Sequence, residues 1–130
     1  MNDDRPKIVL VDFDGVLHSY TSGWQGADVV SDPPVLEAIE WLQHLVEDPG
    51  LDVRVYSARS QQEGGIPAMK TWLEENGFPG HLLHKLGFPW NKPAAWLTID
   101  DRAIRFEGEF PTVQEIHDFR PWYTKGEPYL

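Results

Sequence analysis

Residues 7–13 read KIVLVDF, an unbroken apolar run rich in β-branched residues that leads directly into Asp14-Gly15. A strand wetted on one face alternates apolar and polar residues. A run without alternation predicts a strand covered on both faces, as at the centre of a parallel sheet. Parallel neighbours cannot be joined by hairpins, so helices and strands have to alternate along the rest of the chain. Asp32-Pro33-Pro34 reads as an N-cap with prolines in the first helical turn. Val35, Ile39, Leu42 and Val46 then recur at helical spacing until Pro49-Gly50. Asp52 to Ser57 reads as a second strand. Gly64-Gly65 breaks the chain before a helix striped by Ile66, Met69, Trp72 and Leu73, with Gly77 as its C′ residue and Pro79 beyond. His81 to His84 is expected as a brief third strand, Ala95 to Ile99 as a fourth, and Ala103 to Phe106 as an edge strand. Thr112 to Phe119 reads as a last short helix with Thr112 as cap.

The expected fold is α/β, a Rossmann-like three-layer sandwich with a mainly parallel sheet in the order 3-2-1-4 and helices on both faces. One domain is expected over residues 1–130, with a flap at 17–32 and a coil tail at 120–130. Six Trp, six Phe and four Tyr supply enough buried surface for a core without staples. The chain has no cysteine, which excludes a disulfide framework, a thiolate nucleophile and a Cys-based zinc site. The N-terminus is acidic, no apolar run approaches membrane-spanning length, and a cytoplasmic location is expected. Asp and Glu number 21 against 11 Lys and Arg, a net charge of −10 that disfavours tight, sequence-independent binding to nucleic acid.

Three strand ends carry polar residues that a buried sheet would otherwise exclude: Asp12 and Asp14, Ser57 and Arg59, Asp100 and Asp101. In an open α/β sheet these ends share one rim, where ligands bind. Carboxylates converging there repel one another and need cations or retained protons. Hard oxygen donors without sulfur favour Mg²⁺ over zinc, and Mg²⁺ held by carboxylates is suited to clamping a phosphate. Asp12 and Asp14, two apart on an extended chain, project to the same side. One is placed to attack phosphorus and the other to protonate the leaving oxygen. Gly15 lets the backbone approach a ligand closely. An EF-hand is excluded, because the later spaced acids are missing.

With these residues in place, the chain resembles the haloacid dehalogenase superfamily of phosphohydrolases at all four of its motifs. VDFDGVL is similar to the first motif, VYSAR to the second, Asn91-Lys92-Pro93 to the third and LTIDDRA to the fourth. The resemblance implies Asp12 as the nucleophile that forms an aspartyl-phosphate. It implies Asp14 as general acid/base, with its backbone carbonyl in the metal shell. Ser57 becomes a phosphate-contacting hydroxyl and Lys92 the lysine that neutralises nucleophile and phosphate. Asp100 and Asp101 join Asp12 and Asp14 around magnesium. Lys85 competes with Lys92 for the third motif, and Lys92 is favoured because it runs into the fourth. Arg59 is either a second phosphate ligand or a surface cation balancing the acidic rim. No cap domain fits between the first motif and the first helix, which directs the resemblance toward exposed phosphates.

The expected activity is Mg²⁺-dependent hydrolysis of a phosphomonoester, on a phosphorylated small molecule such as a nucleotide or on a nucleic-acid terminal phosphate. The alternatives are a phosphotransferase of the same fold and a noncatalytic metal- or phosphate-binding regulatory module. His18 and Tyr20 follow the first motif and are placed to touch a leaving group or to pack locally. Trp24 is either a stacking surface or an anchor for the flap. His81 and His84 are expected to be partly buried, His44 and His117 exposed, and Trp41, Trp72 and Trp96 to be core. Trp122, Tyr123 and Tyr129 either pack as tail or form an oligomer contact.

Overall fold

Three parallel strands carry the architecture of the computed structural model, which describes residues 5–124. The central strand β1 (Lys7–Val11) has β2 (Leu51–Val55) on one side and β3 (Leu97–Ile99) on the other. In register, Val9 faces Val53 and Leu97, and Val11 faces Val55 and Ile99. The ladder runs one residue further on each side. The Tyr56 N–H donates to the Val11 carbonyl at 3.1 Å, and the Asp12 N–H to the Ile99 carbonyl at 2.9 Å. All three strands therefore end at one level. The result is an α/β fold with a small parallel sheet, consistent with a Rossmann-like arrangement. No helix among the described residues is long and apolar enough to cross a membrane.

Helix α1 (Ala38–Glu47) joins β1 to β2, and α2 (Gly65–Glu75) follows β2. Val9, Val11, Val53 and Val55 share one sheet face by alternation. With Phe13 and Leu17 they form one core with Leu42 and Val46 of α1 and Met69, Trp72 and Leu73 of α2. Both helices thus lie on the same face. The expected helix on the opposite face does not form among the described residues. Residues 88–96, which return the chain to β3, are irregular, so the described sheet has two layers where three were expected. β3 is consequently an exposed edge, and Trp96, expected in the core, is 67% exposed beneath the Lys7 ammonium.

Three other local expectations are corrected. α1 begins at Ala38, after Glu37 in a left-handed conformation, and not just after Asp32. Its anticipated first turn is diverted by backbone pairing, because Ser19 N–H donates to Pro33 and Val35 N–H to Leu17. His81 to His84 lie in a 3-10 turn (Gly80–Lys85), with both histidines exposed. The pairing expected of a third strand is reduced to a bridge at Gly87, which exchanges hydrogen bonds with Val53 and Val55 on the outer side of β2. Ala103 to Phe106 is exposed coil. Gly77 does close α2 as C′: at φ 98° its N–H reaches the Glu74 carbonyl while Phe78 N–H reaches Leu73, the two bonds of a Schellman cap. The short α3 (Val113–Asp118) has the expected Thr112 cap, reciprocated by Glu115, and buries no residue. The tail adds a 3-10 turn at Trp122–Thr124, and Tyr129 lies outside the described residues.

Since both helices share one core, truncation there should be costly. Leu73→Ala, at a fully buried position, is expected to lower stability by about 2–5 kcal/mol. Trp96→Ala on the open face should cost under about 1 kcal/mol. Urea midpoints of the two variants check this, and equal losses would contradict the one-sided core.

Candidate active site

The level strand ends bring the expected carboxylates together. Oxygens of Asp12, Asp100 and Asp101 lie within 4.8 Å of one another. Burial above all, then a hydrogen bond with Asp101 and the charge of Asp100, push the Asp12 carboxyl up to about 9; the Phe13 backbone N–H pulls the other way. Three close carboxylates retain a proton or accept a cation. An all-oxygen donor set of this kind fits Mg²⁺.

Asp14 stands apart from this group. Its carboxylate is gripped by Arg59, with Nε to Oδ2 at 3.0 Å and Nη2 to Oδ1 at 3.1 Å, and by His18 Nδ1 at 2.8 Å. His18 is buried, and its Nε2 accepts the Asp32 backbone N–H at 3.1 Å, so Nδ1 carries the proton toward Asp14. It packs between Phe13 and Trp72 and belongs to the interior. Asp32, expected as a helix cap, turns its carboxylate back to the Ser22 N–H and hydroxyl at 2.8 and 2.5 Å. The flap is thereby closed on itself.

Arg59 balances an acid of the rim, Asp14, as one of its two expected roles has it, but from the interior and not from the surface. It is fully buried, and its Nη1 donates to the carbonyls of Gly26, Ala27 and Val29 at 2.8–3.0 Å. Phe13 and Trp24 flank the guanidinium at 5.8 and 5.0 Å. It holds the flap and Asp14, and does not line the cavity below. Gly15 also serves the protein itself: at φ 85°, a Cβ there would collide with the Asp101 carboxylate and come within 2.8 Å of the Tyr123 ring.

A cavity of about 330 Å³ opens at this rim, lined by Asp12, Asp14, Ser57, Asp100 and Asp101 together with Tyr20, Trp24, Arg102 and Tyr123. A smaller one of about 150 Å³ shares Asp12, Ser57 and Asp100 with it and adds Lys92. Lys92 is thus next to the carboxylates, whereas Lys85 lines neither cavity. The Ser57 hydroxyl accepts the Arg59 backbone N–H at 3.2 Å and keeps its own proton to donate.

The tail contributes two contacts that sequence reasoning left undecided between packing and assembly. Trp122 Nε1 donates to the Gly15 carbonyl at 2.7 Å, and the Tyr123 hydroxyl to Asp101 Oδ2 at 2.9 Å. Burial pushes that hydroxyl up to about 12, against the pull of Arg102, so it stays protonated. The aromatic composition of the tail was its one sequence signal. A scan of family models, a search of curated proteins and a search of solved structures each find no match to the chain.

Two outcomes follow. The Asp12 carboxyl lies above its ordinary value of 3.8, so the folded protein keeps a proton that the unfolded chain releases. That stability is fully present below about 3.8 and is lost as pH rises toward about 9. In EDTA the melting temperature should fall across this window, and Asp12→Asn should flatten the fall; equal slopes would refute the assignment. Arg59→Met removes the buried cation that pairs with the half-buried Asp14 and leaves three flap carbonyls without their donor; it should cost at least about 2 kcal/mol, with proteolysis appearing first in residues 17–32.

Proposed function

We propose that this chain is a Mg²⁺-dependent phosphomonoester hydrolase of the haloacid dehalogenase type, acting through an aspartyl-phosphate on Asp12. The observation that carries the reading is the convergence on Asp12 of Asp100 and Asp101, with Ser57 lining both adjoining cavities and Lys92 the smaller one. Asp12, Asp100 and Asp101 would hold the ion, with the Asp14 carbonyl as the further ligand the resemblance implies. When bound, Mg²⁺ supplies positive charge that offsets the crowded carboxylates and the phosphoryl oxygens.

Asp12 attacks phosphorus with one carboxylate oxygen, and the P–O bond to the alcohol breaks in line with it. Asp14 gives the departing oxygen a proton and then takes one from the water that cleaves the acyl phosphate. Lys92 and the Ser57 hydroxyl donate to the transferring phosphoryl oxygens, where charge stabilisation matters most. The rim is open and uncapped, which suits a nucleotide or a nucleic-acid terminal phosphate.

One observation favours a second reading, the noncatalytic metal- or phosphate-binding module. Both Asp14 oxygens are engaged by Arg59 or His18, and proton transfer requires one of them to be released. Phosphotransfer to a second alcohol uses the same first half-reaction and separates only by an acceptor screen.

The test is phosphate release from nucleotides, sugar phosphates and phosphorylated oligonucleotides, with Mg²⁺ and with EDTA. Release should need Mg²⁺, fall at least about 10³-fold in Asp12→Asn and at least about tenfold in Lys92→Ala. Release that survives Asp12→Asn removes Asp12 as nucleophile. Mg²⁺ binding with no release or transfer selects the binding module.

A further inference from the structure

The chemistry proposed for Asp12 leaves the aromatic side of its cavity unexplained. Tyr20, Trp24 and Tyr123 line the same cavity of about 330 Å³ as Asp12, a volume in the range of small-ligand sites. Trp24 stands out among them because it is 48% exposed and yet rigidly backed. The Arg59 guanidinium lies 5.0 Å from its ring centroid, and that guanidinium is fully buried and fixed by Asp14. Arg59 also holds the carbonyls of Gly26, Ala27 and Val29, the backbone that follows Trp24 directly.

A tryptophan that only anchors a loop sinks its ring into the core. This ring is set against an immobilised charge and leaves about half its surface to solvent at the cavity. Tyr20, on the same cavity, is held at φ 61°, a region costly for a tyrosine and tolerated where surrounding structure imposes it.

We infer that Trp24 is a stacking platform for the base of a nucleotide whose phosphate reaches Asp12. The inference rests on the phosphohydrolase reading and narrows it to base-bearing esters. A planar base gains from a fixed aromatic face what a sugar or polyol phosphate cannot match, about tenfold or more in affinity. The nucleotide is either free or the terminal residue of an oligonucleotide.

The experiment compares kcat/KM for nucleoside 3′- and 5′-monophosphates, ribose 5-phosphate, glycerol phosphate and short 3′- or 5′-phosphorylated oligonucleotides. Wild type, Trp24→Ala and Trp24→Phe are assayed with Mg²⁺, after circular dichroism establishes that each is folded. Wild type is expected to prefer base-bearing esters over ribose 5-phosphate. Trp24→Ala should lose at least about tenfold more on the base-bearing esters than on ribose 5-phosphate, and Trp24→Phe should recover most of that difference. Mononucleotides outrunning oligonucleotides identifies the free form, and the reverse order the strand end. A uniform loss across all substrates, or no preference by wild type, overturns the inference while leaving the hydrolase reading intact. If wild type turns over no ester, that reading fails and calorimetric titration of adenosine monophosphate decides the stacking. Binding weakened in Trp24→Ala upholds the platform, and no binding to wild type removes it.

Discussion

A guanidinium withdrawn from water has to find a counter-charge and an acceptor for nearly every N–H, or the chain does not fold around it. Arg59, the largest fully buried side chain, meets that demand from three directions. Asp14 supplies the charge, three flap carbonyls accept from Nη1, and two aromatic rings cover the faces. The path of residues 26–29 is a consequence, because their carbonyls have to turn inward. So is the position of Trp24 over the cavity. The flap therefore behaves as an extension of the sheet end, without a hydrophobic core of its own.

The same rim divides its acids into two electrostatic classes a few residues apart. Asp14 is compensated by Arg59 and His18. Asp12, Asp100 and Asp101 crowd together, with the half-exposed Arg102 3.9 Å from Asp101 Oδ2, and burial pushes the Asp12 carboxyl up. Under the proposed reading the crowded group gains from a divalent ion, while Asp14 has to leave Arg59 or His18 before it can exchange a proton. Tyr123 shows a further refinement, since it fixes one Asp101 oxygen by donating to it.

The strands and their level ends were legible because each depends on local pattern: an apolar run at residues 7–11, alternating apolar residues at 51–55, a short β-branched stretch at 97–99, and polar residues soon after each. Gly77 and Thr112 were legible for the same reason, as caps act within a few residues. The failures arose where a distant partner outweighed the local signal. Pro33 and Pro34 look like a helix start, but pairing of 33–35 with 17–19 holds them extended. Asp32 is spent on Ser22, and Arg59 on a flap some thirty residues away in sequence. The carboxylate cluster was legible as a set of strand ends. The Arg59–Asp14 pair and the tail contacts are tertiary facts with no periodicity to announce them.

The bond from Trp122 to the Gly15 carbonyl spans 107 positions of sequence. Contacts of such separation carry a large loop-closure entropy and form after the local ones that shorten the effective loop. The Asp101 wall of the cavity is thus placed by the end of β3 and closed from the far end of the described chain. Order at that wall is set by how the whole chain closes on itself, so substitutions far from the carboxylates that slow or loosen closure would register at the site before they register in the core.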